Sequence, residues 1–278
     1  MPLPMTKGPT LGKCNICALT NQKLTSDHVP PKGTIKFPRM KLHSIIDFLE
    51  AKDGMPQKGR EFQQGVKFRT ICESCNSNII GSQYDPALIK LCNDISDYLQ
   101  SQIVRPTVMS FRAQPDLVAR AIAGHILSIG VEHFPRGEMG DALAEFVLNP
   151  NSSPPNGLAI HYWLYPYWEQ VSIRGAGLLV RFGTPPLVIS LIKFTPIAFM
   201  ITWDADPGFD FPYPNLVDHI PSTPREFADI PLDFRIVPPA RYPEAPGGEG
   251  VVLHGTESYV ATRTKPKNNR QSNLRDLK

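Results

Sequence analysis

The sequence lacks an uninterrupted apolar run long enough to cross a bilayer, lacks an internal repeat, and carries a net charge of only +3. Its most apolar window, Leu187 to Trp203, is 17 residues long, holds Lys193 near its centre and is broken by Pro196. A span needs about 20 apolar residues, and a central lysine costs about 2.5 to 3.5 kcal/mol on insertion scales. The window is therefore read as two buried strands, with no membrane partner. Met1 to Gly12 contains no apolar stretch of the kind a secretory leader carries, so a reducing, cytoplasmic setting is expected. With five cysteines in 278 residues, a dense disulfide framework is excluded, and reduced thiols are free for metal. Long helices are scarce in the second half, where 21 of the 29 prolines lie beyond residue 105, because proline interrupts the helical hydrogen-bond ladder.

What is present is globular in composition, with 41% hydrophobic and 20% charged residues. At about 100 to 200 residues per domain, two domains are the default. The small net charge is a sum of unlike parts. Residues 1–105 carry 14 Lys/Arg against 9 Asp/Glu, residues 106–262 carry 9 against 16, and residues 263–278 carry 6 against 1. The division adopted is a basic domain over 1–105, an acidic α+β domain over 106–262, and a basic, disordered tail over 263–278. A polyanionic partner suits the first and last of these and not the middle.

Local patterns give a mixed α+β class. Val66 to Ile71 alternates as a strand, and Leu42 to Ala51 has the spacing of a short helix. Asp85-Pro86 opens a helix running to about Gln102. A second helix is predicted from Pro115 to about Glu132, with Val118, Ile122, Ile126 and Ile129 on one stripe. After the turn-rich Asn149 to Gly157, the runs Leu158–Tyr165, Gln170–Ile173, Leu178–Phe182, Leu187–Phe194 and Ile197–Trp203 predict a mainly antiparallel sheet. The proline-studded stretch from Asp204 to Gly250 is expected to wrap it.

The chemistry concentrates near the N-terminus. Cys14-Asn15-Ile16-Cys17 and Cys72-Glu73-Ser74-Cys75 are two C-x-x-C knuckles separated by 54 residues, the local spacing of a tetrahedral zinc site. Four thiolates leave no open coordination position, so this zinc is read as structural. Between the knuckles stands Asp27-His28, and Asn76 follows the last cysteine directly.

The order C-x-x-C, then D-H, then C-x-x-C-N resembles the HNH, or His-Me finger, endonucleases, in particular the zinc-containing branch that includes phage recombination endonuclease VII. The resemblance covers about Cys14 to Leu91. It implies a treble-clef-like ββα metal finger in which Cys14, Cys17, Cys72 and Cys75 hold zinc. It further implies that Asp27 and Asn76 hold a catalytic Mg²⁺ or Mn²⁺ and that His28 is the general base. Side-chain chemistry agrees: an imidazole titrates near pH 6.5 and can accept a proton from water, while carboxylate and amide oxygens suit a hard cation. Asp85 stands where the family often has a further metal residue, although capping of the following helix is the preferred role.

The 43 residues between His28 and Cys72 are long for the family and imply an insertion. Its basic residues include Lys32, Lys36, Arg39, Lys41, Lys52, Lys58, Arg60, Lys67 and Arg69. Lys32, Lys36, Arg39, Lys67 and Arg69 are the candidate nucleic-acid contacts, with a solvated surface as the plainer reading. His43 can touch phosphate or lie exposed on the insertion helix. His125, on an apolar stripe, is read as a hydrogen-bonded core histidine, Cys92 as core, and the aromatic run Tyr162 to Trp168 as sheet packing. Asp204, Asp206 and Asp210 are assigned no metal.

The expected function is a metal-dependent endonuclease hydrolysing phosphodiester bonds, on double-stranded DNA in preference to RNA, of the sort found in phage defence or mobile elements. A homodimer, and a regulatory partner bound through residues 106–262, are compatible with it. The alternatives are a non-catalytic zinc-finger module that binds nucleic acid, and a sensor or interaction protein.

Overall fold

A computed structural model describes residues 3–36, 38–51, 58–101, 106–131, 136–179, 185–205, 211–245 and 251–264. Lys52, Asp206, Asp210 and residues 265–278 of the basic tail lie outside the described residues. So do the expected helix ends at Gln102 and Glu132.

The N-terminal part is a small three-stranded antiparallel sheet of β1 (Leu11–Gly12), β2 (Gln22–His28) and β5 (Lys67–Cys72), in the order β1-β2-β5. The chain turns from β5 into one continuous helical segment. Ser74–Tyr84 is wound as a π-helix and α2 (Asp85–Gln100) follows without a break. The Asp85 amide still donates five residues back, to the Ile80 carbonyl. The expected helix start at Asp85 is therefore a change of winding inside a longer helix. Pro86, which has no donor to offer, stands at that change.

The insertion does not form a free loop. β3 (Met40–Ser44), the short α1 (Ile45–Leu49) and β4 (Arg60–Phe62) leave the small sheet and dock onto a larger one. That sheet runs β4-β3-β13-β8-β9-β10-β7, with β12 (Val251–Leu253) also paired to β8. Its members are β7 (Leu158–Leu164), β8 (Gln170–Leu179), β9 (Leu187–Phe194), β10 (Ile197–Trp203) and β13 (Ser258–Arg263). Met40 and Leu42 are buried, which is what draws this strand out of solvent. Within the sheet, β9 and β10 pair Ile197 with Phe194 across a tight turn, and β10 pairs Ile201 with Ile160 of β7.

Both faces of the large sheet are covered, which explains strands that read as continuous apolar runs and do not alternate. On β10, Ile197, Phe199 and Ile201 join one core while Ala198 and Met200 join the other. The first core also takes in Cys14, Ile16, Phe68 and Ile80 from the N-terminal part and nearly every apolar residue of α3 (Pro115–Ser128). A helix buried on all sides belongs at a centre, between layers. It packs against α4 (Gly137–Leu148), an element whose Gly-Glu-Met-Gly opening hides it from helical pattern reading. β6 (Val108–Ala113) and β11 (Ala228–Asp233) form a separate two-stranded sheet.

On the other face the proline-rich wrap is pinned by Lys193, the residue that interrupts the apolar window. Its ammonium, fully buried, donates to the carbonyls of Ala240 and Tyr242 and to both oxygens of Glu244. Among the described residues no helix is long and apolar enough to cross a membrane.

Candidate functional site

The two C-x-x-C knuckles meet. The sulfur atoms of Cys14, Cys17, Cys72 and Cys75 all lie within 4.8 Å of one another, with Cys17 and Cys72 at 3.9 Å. A tetrahedron with bonds of about 2.3 Å has sulfurs about 3.8 Å apart, so the cluster has the dimensions to hold an ion such as zinc. Among the described residues it is the one group of three or more His, Cys, Asp or Glu side chains close enough to share an ion. The amides of Ile16 and Cys72 point at Cys14 Sγ at 3.4 and 3.3 Å, donors that favour a thiolate. A hydrogen bond from the Cys75 thiol, opposed by burial, lowers the Cys14 pKa to about 4. That same shared hydrogen, with burial and the neighbouring sulfurs, pushes Cys75 far up. Four thiolates cannot coexist here without a cation between them.

Next to this cluster, the β2–β5 pairing carries an irregularity. Thr25 pairs with Ile71 and Ser26 with Arg69, so Thr70 of β5 is the extra residue, and such a bulge bends its own strand and increases the local twist. Asp27 and His28 follow on β2, across from it. Asn76, in the first turn after the second knuckle, is fastened to β2: its Nδ2 donates to Thr25 Oγ1 at 2.9 Å and to the Ser26 carbonyl at 3.3 Å. Thr25 Oγ1 in turn donates to the Ile71 carbonyl. With its nitrogen committed to two acceptors, the Asn76 amide has its Oδ1 left for a cation or a donor.

Asp27 is buried and accepts two hydrogen bonds, both on Oδ2, from His125 Nδ1 at 2.9 Å and Ser128 Oγ at 2.7 Å. The other ring nitrogen of His125, Nε2, lies 2.9 Å from Asp85 Oδ1. Two carboxylates on the two nitrogens require both to be donors. Burial opposes the charge on His125, but Asp27 and Asp85 outweigh it and raise its pKa to about 10. The core-histidine expectation thus understates His125. The capping expectation for Asp85 gives way to this hydrogen bond, because the helix has already begun eleven residues earlier.

His28 is half-buried at the end of β2, directly opposite Lys67 on β5. Opposed residues in an antiparallel pair share a face. Burial first, then the Lys67 and Lys32 ammonium groups, hold its pKa below the ordinary histidine value, against the pull of Asp27.

The candidate contact residues have separate fates. Lys32 and Lys36 are exposed, and Arg39 is exposed with an ion pair to Glu61. Lys67 flanks His28. Arg69 is spent on the Gly8 carbonyl through Nε and Nη2 at 2.9 and 2.6 Å, which ties down the N-terminal arm. His43 is neither exposed nor helical. It is buried on β3, where its ring nitrogens meet the Lys58 carbonyl and Thr262 Oγ1. Tyr162, Trp163 and Tyr165 are sheet core.

Ser128 and the carboxylate partners of His125 escaped pattern reading. The available signal was the polar pair His125 and Ser128, three apart on the apolar second half of a helix that is buried along its whole length. A buried imidazole demands partners, and Asp27 and Asp85 were candidates. Comparisons with family models, with curated proteins and with solved structures returned no match for this chain.

Proposed function

We propose that the protein is a metal-dependent endonuclease of the HNH kind, with β2, β5 and the helix from Ser74 serving as a zinc-stabilised ββα finger. The observation that carries this reading is the pair of hydrogen bonds from Asn76 to Thr25 and Ser26, which hold the residue after the second knuckle against the β2 segment that leads into Asp27 and His28. The cysteine cluster takes structural zinc and rigidifies the turn that delivers Asn76.

Asp27 Oδ1 and Asn76 Oδ1, the oxygens left free of hydrogen bonds, fit a Mg²⁺ or Mn²⁺ that keeps water and substrate oxygens as its remaining ligands. Such an ion supplies Lewis-acid stabilisation of charge on the phosphate and on the departing 3′ oxygen. His28, neutral and on the opposite side of the strand from Asp27, takes a proton from the attacking water. Lys67, beside His28, attracts the phosphodiester and holds the imidazole unprotonated. Attack on phosphorus breaks the bond to the 3′ oxygen, which takes a proton from solvent, and leaves a 5′ phosphate and a 3′ hydroxyl. The basic balance of residues 1–105 suits a polyanion, with duplex DNA as the favoured substrate, and Lys32 and Lys36 are exposed beyond His28 to meet it.

A second reading, a non-catalytic zinc module that binds nucleic acid, is favoured by the cysteine cluster alone. Incubating the full chain with plasmid DNA, linear duplex and RNA, with Mg²⁺ or Mn²⁺, separates the two. Cleavage lost in His28→Ala and Asn76→Ala supports the nuclease. Binding without cleavage of any of these substrates supports the module.

A further inference from the structure

The last turn of α3, which lies outside the finger in sequence, is held largely by finger side chains, with Arg174 of β8 a second donor to the Leu127 carbonyl. The C-terminal carbonyls of a helix have no partner within it. Here the Leu127 carbonyl accepts from Asn15 Nδ2 at 3.2 Å, the Ser128 carbonyl from Thr70 Oγ1 at 2.6 Å, and the Gly130 carbonyl from Asn15 Nδ2 at 3.2 Å. Gly130 has φ 86°, and a Cβ there would fall 2.0 Å from Glu257 Cδ, so no other residue closes the turn in this way. The side chains of the turn reach in the opposite sense, from the helix into the finger. His125 grips Asp27 and Asp85, and Ser128 grips the same Asp27 oxygen as His125.

From this we infer that His125 and Ser128 are positioning residues for the proposed catalytic cation: by occupying Asp27 Oδ2 they turn Oδ1 toward the ion, so that α3 completes a site the finger alone does not. The inference rests on the nuclease reading and adds to it a role for the second region of the chain. Metal ligands are commonly oriented by such outer partners, whose loss weakens metal affinity or activity about 10- to 100-fold. Asp85 belongs to the same arrangement as the second anchor of His125, which fixes the plane of the ring.

The test is a Mn²⁺ titration of the full chain, its zinc site filled, followed by electron paramagnetic resonance of free Mn²⁺, alongside the Mn²⁺ dependence of DNA cleavage. Expected for His125→Ala and for Ser128→Ala is Mn²⁺ binding about 10- to 100-fold weaker, with cleavage recovering at saturating Mn²⁺. His125→Asn, which keeps a donor for Asp27, restores more of the affinity than His125→Gln, whose donor reaches toward Asp85. Should the His125 variants lose zinc or fail to fold, Ser128→Ala decides alone. Parent-like Mn²⁺ affinity in the folded variants overturns the positioning role while leaving the nuclease reading intact. A parent protein that neither binds Mn²⁺ nor cleaves removes both.

Discussion

Asn15 of the first cysteine knuckle donates its side-chain amide to the carbonyls of Leu127 and Gly130, more than a hundred residues away. That contact joins the cysteine cluster to the central helix. It also makes the basic N-terminal segment and the acidic body share one core, with Ile16, Phe68 and Ile80 packed in the same cluster as Val118, Ile122 and Phe199.

Asn15→Ala therefore destabilises the whole chain and not the N-terminal part alone. The Leu127 carbonyl keeps its donor from Arg174, but the Gly130 carbonyl loses the one Asn15 gives it, at a cost of about 1 to 3 kcal/mol. Urea denaturation followed by near-ultraviolet signals from Trp163 is expected to show a lower midpoint with an unchanged slope.

How much of this was legible in the sequence depends on how local the cause was. Leu187–Phe194 and Ile197–Trp203 could be read with their observed ends because continuous apolar runs between turn residues are a property of the segment itself. The four cysteines were legible as a metal site for the same reason. The pairing of β3 with β13 was not, since Leu42 finds Ala261 only in the folded chain. The bulge at Thr70, across from Thr25 and Ser26, left no mark in residue type. His125 was legible as a hydrogen-bonded core histidine, but not its partners, because helical periodicity reports which face is buried and the two carboxylates come from positions 27 and 85.

Removing a cysteine tests the metal cluster directly. The parent is expected to carry about one zinc per chain, and Cys75→Ser to lose it together with thermal stability, because the free energy of a structural zinc is folding free energy. Elemental analysis of dialysed protein together with a thermal melt checks this. A zinc-free parent that remains folded would falsify the assignment.

The buried ion pair on the other face of the sheet predicts an asymmetry. Burial lowers the Lys193 pKa and raises that of Glu244, each opposed by the partner's charge. Lys193→Met leaves Glu244 without its charge partner and is expected to cost about 3 to 5 kcal/mol, whereas Lys193→Met combined with Glu244→Leu regains most of it. Chemical denaturation of the three variants measures the coupling.

With His28 as the proposed base, the pH profile of cleavage is set by its titration. Its folded pKa lies below the ordinary value of 6.5, through burial and then Lys67. The reactive form is the neutral imidazole, so activity is expected to be high at neutral pH and to fall as pH drops through the lowered value. Lys67→Gln removes part of the cause, and the acid limb is expected to move up in pH. A limb that stays in place in Lys67→Gln would separate Lys67 from the base.

The central claim is that His28 activates water at a phosphodiester. Single-turnover cleavage of an end-labelled duplex with Mn²⁺, parent against folded, zinc-loaded His28→Ala, tests it most directly. A general base contributes about 10²- to 10⁴-fold, so the variant is expected to cut slower by that factor, with the parent leaving 5′ phosphate ends. Cleavage by His28→Ala at the parent rate would contradict it.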